Sequence, residues 1–571
     1  MCAYLSRRGL VLWLCVAALL AVAGCARRPA ETAPASAPAA AAAAAREEAE
    51  MEAEAPEPGA AAPDLNPFAQ RGKEAYEAKH YAQAVADLAR ALRLDPGDSR
   101  SLFYRGQALL RLGRPAEALA DFIRLARLRP RFAGAYYHRA EALAELGRLE
   151  EAVQDYSAAL RLAPGNSRAL KARAAALARL GVLDQAVGDL DHVLAKNPAD
   201  LAALIQRVDV RQAQNLPLLA EADLSAALAL APERADLLLT RGKLRRAQGL
   251  PGAEDDLSRA IELAADPAEA LRQRAALRLD QQRAAEATRD LDALVGLTPA
   301  DPLSLVLRAV AKTAAGDPDG AVADYSAALA LDPRLAVALA GRGRLLLARG
   351  SLPEAAADFG TALALDPANP LALLGRGQAM AGLGFLEQAA ADLTAALALD
   401  PGLDEAFCAR GLLRQAQNRF PDALPDLDRC LAAAPAHHEA ALARAQALLR
   451  LGRPGDALAA AERLAQAVGT DAGGAAFHQA LARTLALNPA ADGAAAHLAL
   501  LHARHGLELE GPTPQALDAL AAALARAGNF PEARNAQRQA LAKLLGPARE
   551  SLLQAYKDRL ARYLKNLPAE E

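Results

Sequence analysis

Residues 336–369 read AVALAGRGRLLLARGSLPEAAADFGTALALDPAN, and the reading of this stretch decides the fold. Leu339, Arg342, Gly343 and Leu346 recur at helical spacing and share one stripe, which Gly350 and Leu352-Pro353 interrupt. A second stripe follows at Ala355, Phe359 and Ala362. Asp366-Pro367 closes it, because proline has no N–H to offer and crowds the preceding turn. The unit is a helical hairpin.

Outward from this hairpin, its arginine repeats. Arg71, Arg105, Arg139, Arg173, Arg207, Arg241, Arg274, Arg308, Arg342, Arg376, Arg410 and Arg444 stand thirty-four residues apart, with one thirty-three-residue step at Arg274. Asp87, Asp121, Asp155, Asp189, Asp223, Asp290, Asp324, Asp358, Asp392 and Asp426 lie sixteen residues beyond their arginines, and Asp256 fifteen. A fixed period of this length means stacked hairpins that bury their cores against their neighbours, so the 571 residues are expected to form one long solenoid rather than several globular domains. Small residues set how closely the two helices of a hairpin approach. Gly72, Gly106, Gly242, Gly343, Gly377 and Gly411 follow the arginine directly, Ala140, Ala174, Ala275, Ala309 and Ala445 do so elsewhere, and the second helix carries Ala84, Ala118, Ala152, Ala186, Ala321, Ala355, Ala389 and Ala423.

This hairpin, with its small residues and closing proline, resembles the tetratricopeptide repeat family. The match covers about Leu65 to Val468, where eleven prolines from Pro96 to Pro435 keep nearly the same phase. The resemblance implies an all-α, right-handed superhelical solenoid with a C-terminal capping helix, whose first helices line a concave side that holds extended or helical peptides. Two departures stand out. Leucine and alanine mostly replace the tryptophan and tyrosine often seen in the first helix, and the spacing shifts between Gly249 and Pro267, where a local change of twist is expected.

The periodic arginine lies on the buried stripe of the first helix, and the aspartate borders that of the second. Opposite charges at one seam should pair, because an arginine fork grips a carboxylate through two hydrogen bonds. These residues are therefore expected to be a structural ladder and not a row of binding groups. Whether each pair closes within a repeat or across a boundary is open: Arg444 has Ala460 in the aspartate's place but follows Asp426, whereas Arg71 has no unit before it.

Residues 1–24 read as an export signal, with Arg7 and Arg8 ahead of an apolar run from Gly9 to Ala23 that is short for a membrane span. Val22-Ala23-Gly24-Cys25 resembles the bacterial lipobox, which implies a lipidated Cys25 at the mature N-terminus. Ala26 in place of aspartate implies transfer to the outer membrane, so the repeats are expected in the periplasm. Residues 25–64, rich in alanine, proline and glutamate, read as a tether. Cys408 and Cys430 could bridge in an oxidising compartment, but Cys430 fills the slot of Ala91, Ala159, Ala328 and Ala396, so a small buried side chain without a bond is the expectation.

Residues 65–468 hold about twelve repeats, and residues 469–571 hold degenerate repeats and a cap. Helices are expected near Ala475 to Leu487, Ala490 to His505, Ala516 to Arg526, Phe530 to Leu544 and Ala548 to Leu564. Leu520 takes the arginine slot of the last unit, and Arg549, Glu550, Lys557, Asp558, Arg559 and Arg562 are expected on the cap's polar outer face.

Enzyme chemistry finds no constellation: there is no Ser/His/Asp elbow, zinc-binding His-Glu-x-x-His, phosphate loop or Cys-x-x-Cys. No catalytic residue, cofactor or metal site is expected, and His497, His502 and His505 read as solvated histidines. A formal charge of −3 offers no field for nucleic acid. Protein binding remains, on the first-helix face opposite the seam. Leu303, Val306 and Val310, then Val337, Ala340 and Leu347, then Leu371 and Leu374 give three successive repeats an apolar stripe on that face, which is either a partner surface or covered by closure of the superhelix or a self-contact. Elsewhere it carries Arg100, Arg168, Lys171, Lys243 and Arg246 among Glu141, Asp209 and Asp236. The expected function is a membrane-anchored scaffold in the assembly of envelope machinery such as secretion, pilus, outer-membrane or polysaccharide export. The alternative is a periplasmic polysaccharide-binding component, for which the face offers few stacking aromatics beyond Tyr76, Phe103 and Tyr137.

Overall fold

The computed structural model describes residues 66–453, 456–457, 472–487, 493–544 and 550–568. The signal at 1–24 and the whole tether at 25–64 with the lipidation residue Cys25 lie outside them, as do residues 458–471 with Ala460. Among the described residues there are helices and no strands. The chain divides into two compact units, Met1–Leu297 and Thr298–Glu571, whose described residues form consecutive helical hairpins.

The hairpin at residues 336–369 folds as its sequence requires: Ala336–Arg349, then Leu352–Leu365. The connection needs a left-handed residue, which Gly350 supplies at φ 86°. Asn215 and Asn418 fill that role in two other repeats, and Lys79 and Gln282 adopt it without glycine's freedom. At the far end, Asp366 stands before Pro367 at φ −134°, ψ 88°, because the proline ring forbids the helical region to the residue ahead of it. Between Gly249 and Pro267 the missing residue is absorbed by a shorter second helix, Ala253–Leu263, of 11 residues against the usual 14. Asp256 keeps its place opposite Arg241 there.

The small residue after each arginine faces a large one immediately after the aspartate. A Cβ on Gly106 would lie 2.6 Å from Cζ of Phe122, and one on Gly377 2.9 Å from Cγ of Leu393. Leu88, Phe122, Leu190, Leu224, Leu257, Leu291 and Phe359, all in this large slot, are fully buried. At the seam, one bulky side chain per repeat is thus set against a nearly bare stretch of helix.

Two expectations are corrected. Cys408 and Cys430 are joined by a disulfide with their Cα atoms 4.8 Å apart, so the small buried slot and the bond coexist. The first cysteine comes from Asp404–Ala416 and the second from Phe420–Ala433, and the close approach of those helices brings them together. Arg559 does not belong to an outer face. Its guanidinium turns inward from Glu550–Leu564 onto Asp518, with Nε and Nη2 donating to the two carboxylate oxygens at 2.9 and 3.0 Å. Tyr556 and Tyr563, spaced with Arg559 along one face of that helix, are fully buried and carry it inward. The other C-terminal helices are Ala472–Leu487, Gly493–Glu510, Pro514–Arg526 and Phe530–Lys543, of which the second runs five residues past its expected end.

If close approach governs the glycine slot, two glycine substitutions should differ in sign. Gly360 is also helical, but a Cβ there meets nothing within 4 Å. Gly360→Ala is expected to stabilise its helix by about 0.5–1 kcal/mol, and Gly377→Ala to destabilise its repeat by about 1 kcal/mol or more. Amide hydrogen exchange in Leu352–Leu365 and Pro370–Gly382 resolves the two locally, since a repeat array need not unfold in one step. Stabilisation by both would count against the packing account.

Candidate protein-interaction face

The periodic charges come first, because their geometry determines what they are available for. From Arg105 to Arg410 each arginine grips the aspartate of its own repeat with Nε on one carboxylate oxygen and Nη2 on the other, as at Arg105–Asp121 (2.7 and 2.5 Å) and Arg376–Asp392 (2.7 and 2.7 Å). The pairing question is settled within the repeat. Arg71 is the loose end, 55% exposed and 3.5 Å from Asp87.

The third nitrogen does something the period did not reveal. Nη1 of Arg173, Arg241, Arg274 and Arg342 donates to Ser157, Ser225, Ser258 and Ser326, two residues beyond the preceding repeat's aspartate. Aspartates take that position for Arg207, which reaches Asp191, and for Arg444, which reaches Asp428 at 2.5 Å. The arginine therefore ties its own hairpin together and links it to the one before. A second cation, four residues after the first, joins the same carboxylate at Arg211, Arg245, Arg278, Lys312 and Arg414. Hydrogen bonds donated to their aspartates raise the guanidinium pKa of Arg139, Arg173, Arg342 and Arg376 above the ordinary arginine value. From Arg105 to Arg410 this chemistry is internal, which leaves those seam charges unavailable to a ligand.

On the first-helix face of the first unit, most of the non-periodic charges are also engaged, while the buried Nε of Arg100 has no hydrogen-bond partner. Arg168 donates to the Tyr137 hydroxyl, which donates to Glu141 at 2.6 Å. His138 bridges Gln107 at 2.9 Å and Glu141 at 2.6 Å. Burial pushes the Glu141 carboxyl up, but the charge and hydrogen bond of His138, with Tyr137 and Arg168, outweigh it and hold the pKa below the carboxylate norm. Lys171 crosses to Asp200, Lys243 to Glu269 and Arg246 to Asp280. Phe103 and Tyr137 are buried, so they cannot stack on a sugar ring.

The apolar stripe lies in the second unit, and the structure divides it. Val306, Val310 and Leu374 are buried core residues, not exposed binding positions as the sequence suggests. The reason is that consecutive first helices touch each other along this side. Leu303, Val337, Ala340, Leu347 and Leu371 are half-buried and are what the face presents to solvent.

Two C-terminal clusters escaped the sequence reading. His502 is buried, not solvated: its Nδ1 lies 2.7 Å from Nδ1 of His478, a residue sequence reading passed over, with the rings stacked 4.9 Å apart. His505 sets its ring edge-on to His478, while His497 is exposed as expected. Asp518 is completely buried and receives Gln537 as well as Arg559. Histidine spacing within one helix could not reveal the first cluster, since His478 stands on another helix.

The chain matches the family models of the tetratricopeptide repeat at residues 70–126, 105–167 and 408–474, and of the TPR repeat at 343–384. No curated protein sequence matches it. Solved structures that resemble it include the APC/C hetero-tetramer Cut9-Hcn1, at 17% identity and TM-score 0.38 over 79% of this chain and 95% of that one. A tetratricopeptide repeat protein from Parabacteroides merdae matches at 21% identity and TM-score 0.32, over 43% of this chain and 98% of its own. A MamA variant matches at 26% identity and TM-score 0.28, over 29% and 94%.

Two measurements probe the clusters. Arg376→Leu strands a carboxylate that is 12% exposed, whereas Asp392→Leu strands a guanidinium that is 30% exposed and whose stem can carry it to water. Arg376→Leu is therefore expected to lose more local stability, on the order of 3 kcal/mol; equal losses by hydrogen exchange would contradict the ladder. At His478 and His502, burial and then the neighbouring imidazoles lower both pKa values to about 4. The unfolded chain then binds more protons than the folded one between about pH 6.5 and 4, so stability falls as pH drops through that window. Exchange protection in Gly493–Glu510 should decline over it, and His478→Leu/His502→Leu should flatten the decline.

Proposed function

We propose that this chain, a member of the tetratricopeptide repeat family, is a scaffold held on a bacterial envelope membrane by lipid on Cys25, where it gathers protein components of an assembly or export machinery. The observation that carries the reading is the contrast between seam and face. The recurring charges are consumed in fastening hairpins, while Leu303, Val337, Ala340, Leu347 and Leu371 stay half-buried on successive first helices of the second unit. Half-exposed apolar side chains at repeated intervals suit an apolar protein segment laid along them. The sequence Val22-Ala23-Gly24-Cys25 supports the anchor, and residues 25–64 give the repeats reach from the membrane.

A photo-crosslinking side chain placed at Val337, and separately at Leu371, is expected to capture the same protein from intact cells. Capture of a polysaccharide from both positions would replace the scaffold with the polymer-binding alternative. Cys25→Ser is expected to move the protein from the membrane fraction to the soluble fraction, and retention in the membrane would contradict the lipid anchor.

A further inference from the structure

In the eleventh repeat, three ligand-type side chains meet. Cys408 on the first helix, Cys430 on the second and His437, just ahead of His438–Arg450, place their ligand atoms within 4.8 Å of one another. Both cysteines are buried and the histidine is half-buried. Packing alone does not call for them. One repeat earlier the same three positions hold Leu374, Ala396 and Leu403, and two repeats earlier Ala340, Ala362 and Asn369, within the same hairpin geometry. Sulfur and imidazole are thus additions to a frame that closes without them.

We propose that the dithiol form of this cluster is a Cys2His site for a thiophilic divalent ion of the zinc type, so that metal and disulfide are alternative occupants of the same two sulfurs. Two thiolates and an imidazole are the borderline-soft donor set that zinc favours over the hard cations, and three protein ligands leave a fourth position for water. With zinc–sulfur bonds of about 2.3 Å, two thiolates in a tetrahedral site stand about 3.8 Å apart. The sulfurs must therefore separate when the disulfide is reduced, by rotation of the cysteine side chains. Metal binding also competes with one existing contact: Nδ1 of His437 accepts the Ala440 amide at 3.2 Å and caps the following helix. A neutral imidazole has one lone pair, so either ring nitrogen that binds metal takes it from the cap.

The two states interconvert by thiol–disulfide exchange. A small-molecule or protein disulfide is attacked by one cysteine thiolate and releases one of its sulfurs. The second thiolate then displaces the other, forming Cys408–Cys430. Two electrons pass to the oxidant, whose two sulfurs leave as thiols with two protons, and the metal ion is freed. This inference does not rest on the scaffold reading, because it concerns the thiol state and not the protein's partners.

The test is titration of the full chain, reduced by a phosphine without oxygen, with Co2+ as a spectroscopic stand-in for zinc. One equivalent of thiolate-to-cobalt absorbance is expected beyond that of Cys408→Ala/Cys430→Ala, which subtracts any signal from Cys2, Cys15 and Cys25, and zinc should displace it. The oxidised wild-type chain is a second control that needs no substitution, and it should show none of this signal. His437→Gln is expected to weaken binding at least about tenfold, a loss no smaller than those caused by removing outer supports of metal ligands. The Ala440 amide resonance should shift on metal binding in the wild type only. Equal absorbance in the reduced wild type and the double variant, or unchanged affinity in His437→Gln, would overturn the site.

Discussion

The described repeats depend on a carboxylate that cannot be left alone. Each inner aspartate from Asp121 to Asp426 sits in the narrow seam of its hairpin, nearly out of water, and the arginine sixteen or fifteen residues upstream meets it with two parallel hydrogen bonds. Such a pair adds little net stability over apolar packing, since both charges give up hydration to form it. Its effect is on register. A one-residue slip of either helix would strand a buried charge, so the misaligned alternatives are costly while the aligned one is merely neutral.

The same arginine extends that control to the neighbouring hairpin. Where Nη1 finds Ser157, Ser225, Ser258 or Ser326, one planar group senses the position of three helices. Elsewhere the bulky residue after the aspartate does the comparable work. The Phe359 ring faces Gly343 of its own repeat and Gly375 of the next, in tight contact at the first and too close for a further side chain at the second. Polar and apolar contacts thus enforce the same spacing by different means. Both are short-ranged, so each hairpin is positioned by its immediate neighbours.

At the C-terminal end, where the period fades, the fastening changes form without changing its logic. Asp518 is again a buried carboxylate held by a guanidinium fork, but Arg559 comes from forty-one residues downstream and Gln537 from between. The histidine pair His478–His502 is likewise a one-off cross-link in that region, and the bond Cys408–Cys430 is one inside a repeat whose Arg410–Asp426 fork is intact. Imidazole pairing and disulfide chemistry belong to these non-repeating links.

The sequence by itself determined the hairpins, their boundaries, the seam charges and the small residues facing large ones. These follow from local spacing: helical stripes, a proline that forbids the helix ahead of it, and a period that places equivalent residues in equivalent surroundings. It also contained signs that were readable but missed, such as the second cation four residues after the first, and Tyr556, Arg559 and Tyr563 along one face of the last helix. Only the tertiary structure decided which carboxylate each arginine takes, which of the face's apolar residues remain in contact with water, and that His502, Cys408 and Cys430 have mates. Those outcomes depend on distances between different helices. The period constrains such distances when both residues repeat, and it says nothing when one of them, like His478 or Cys408, occurs once.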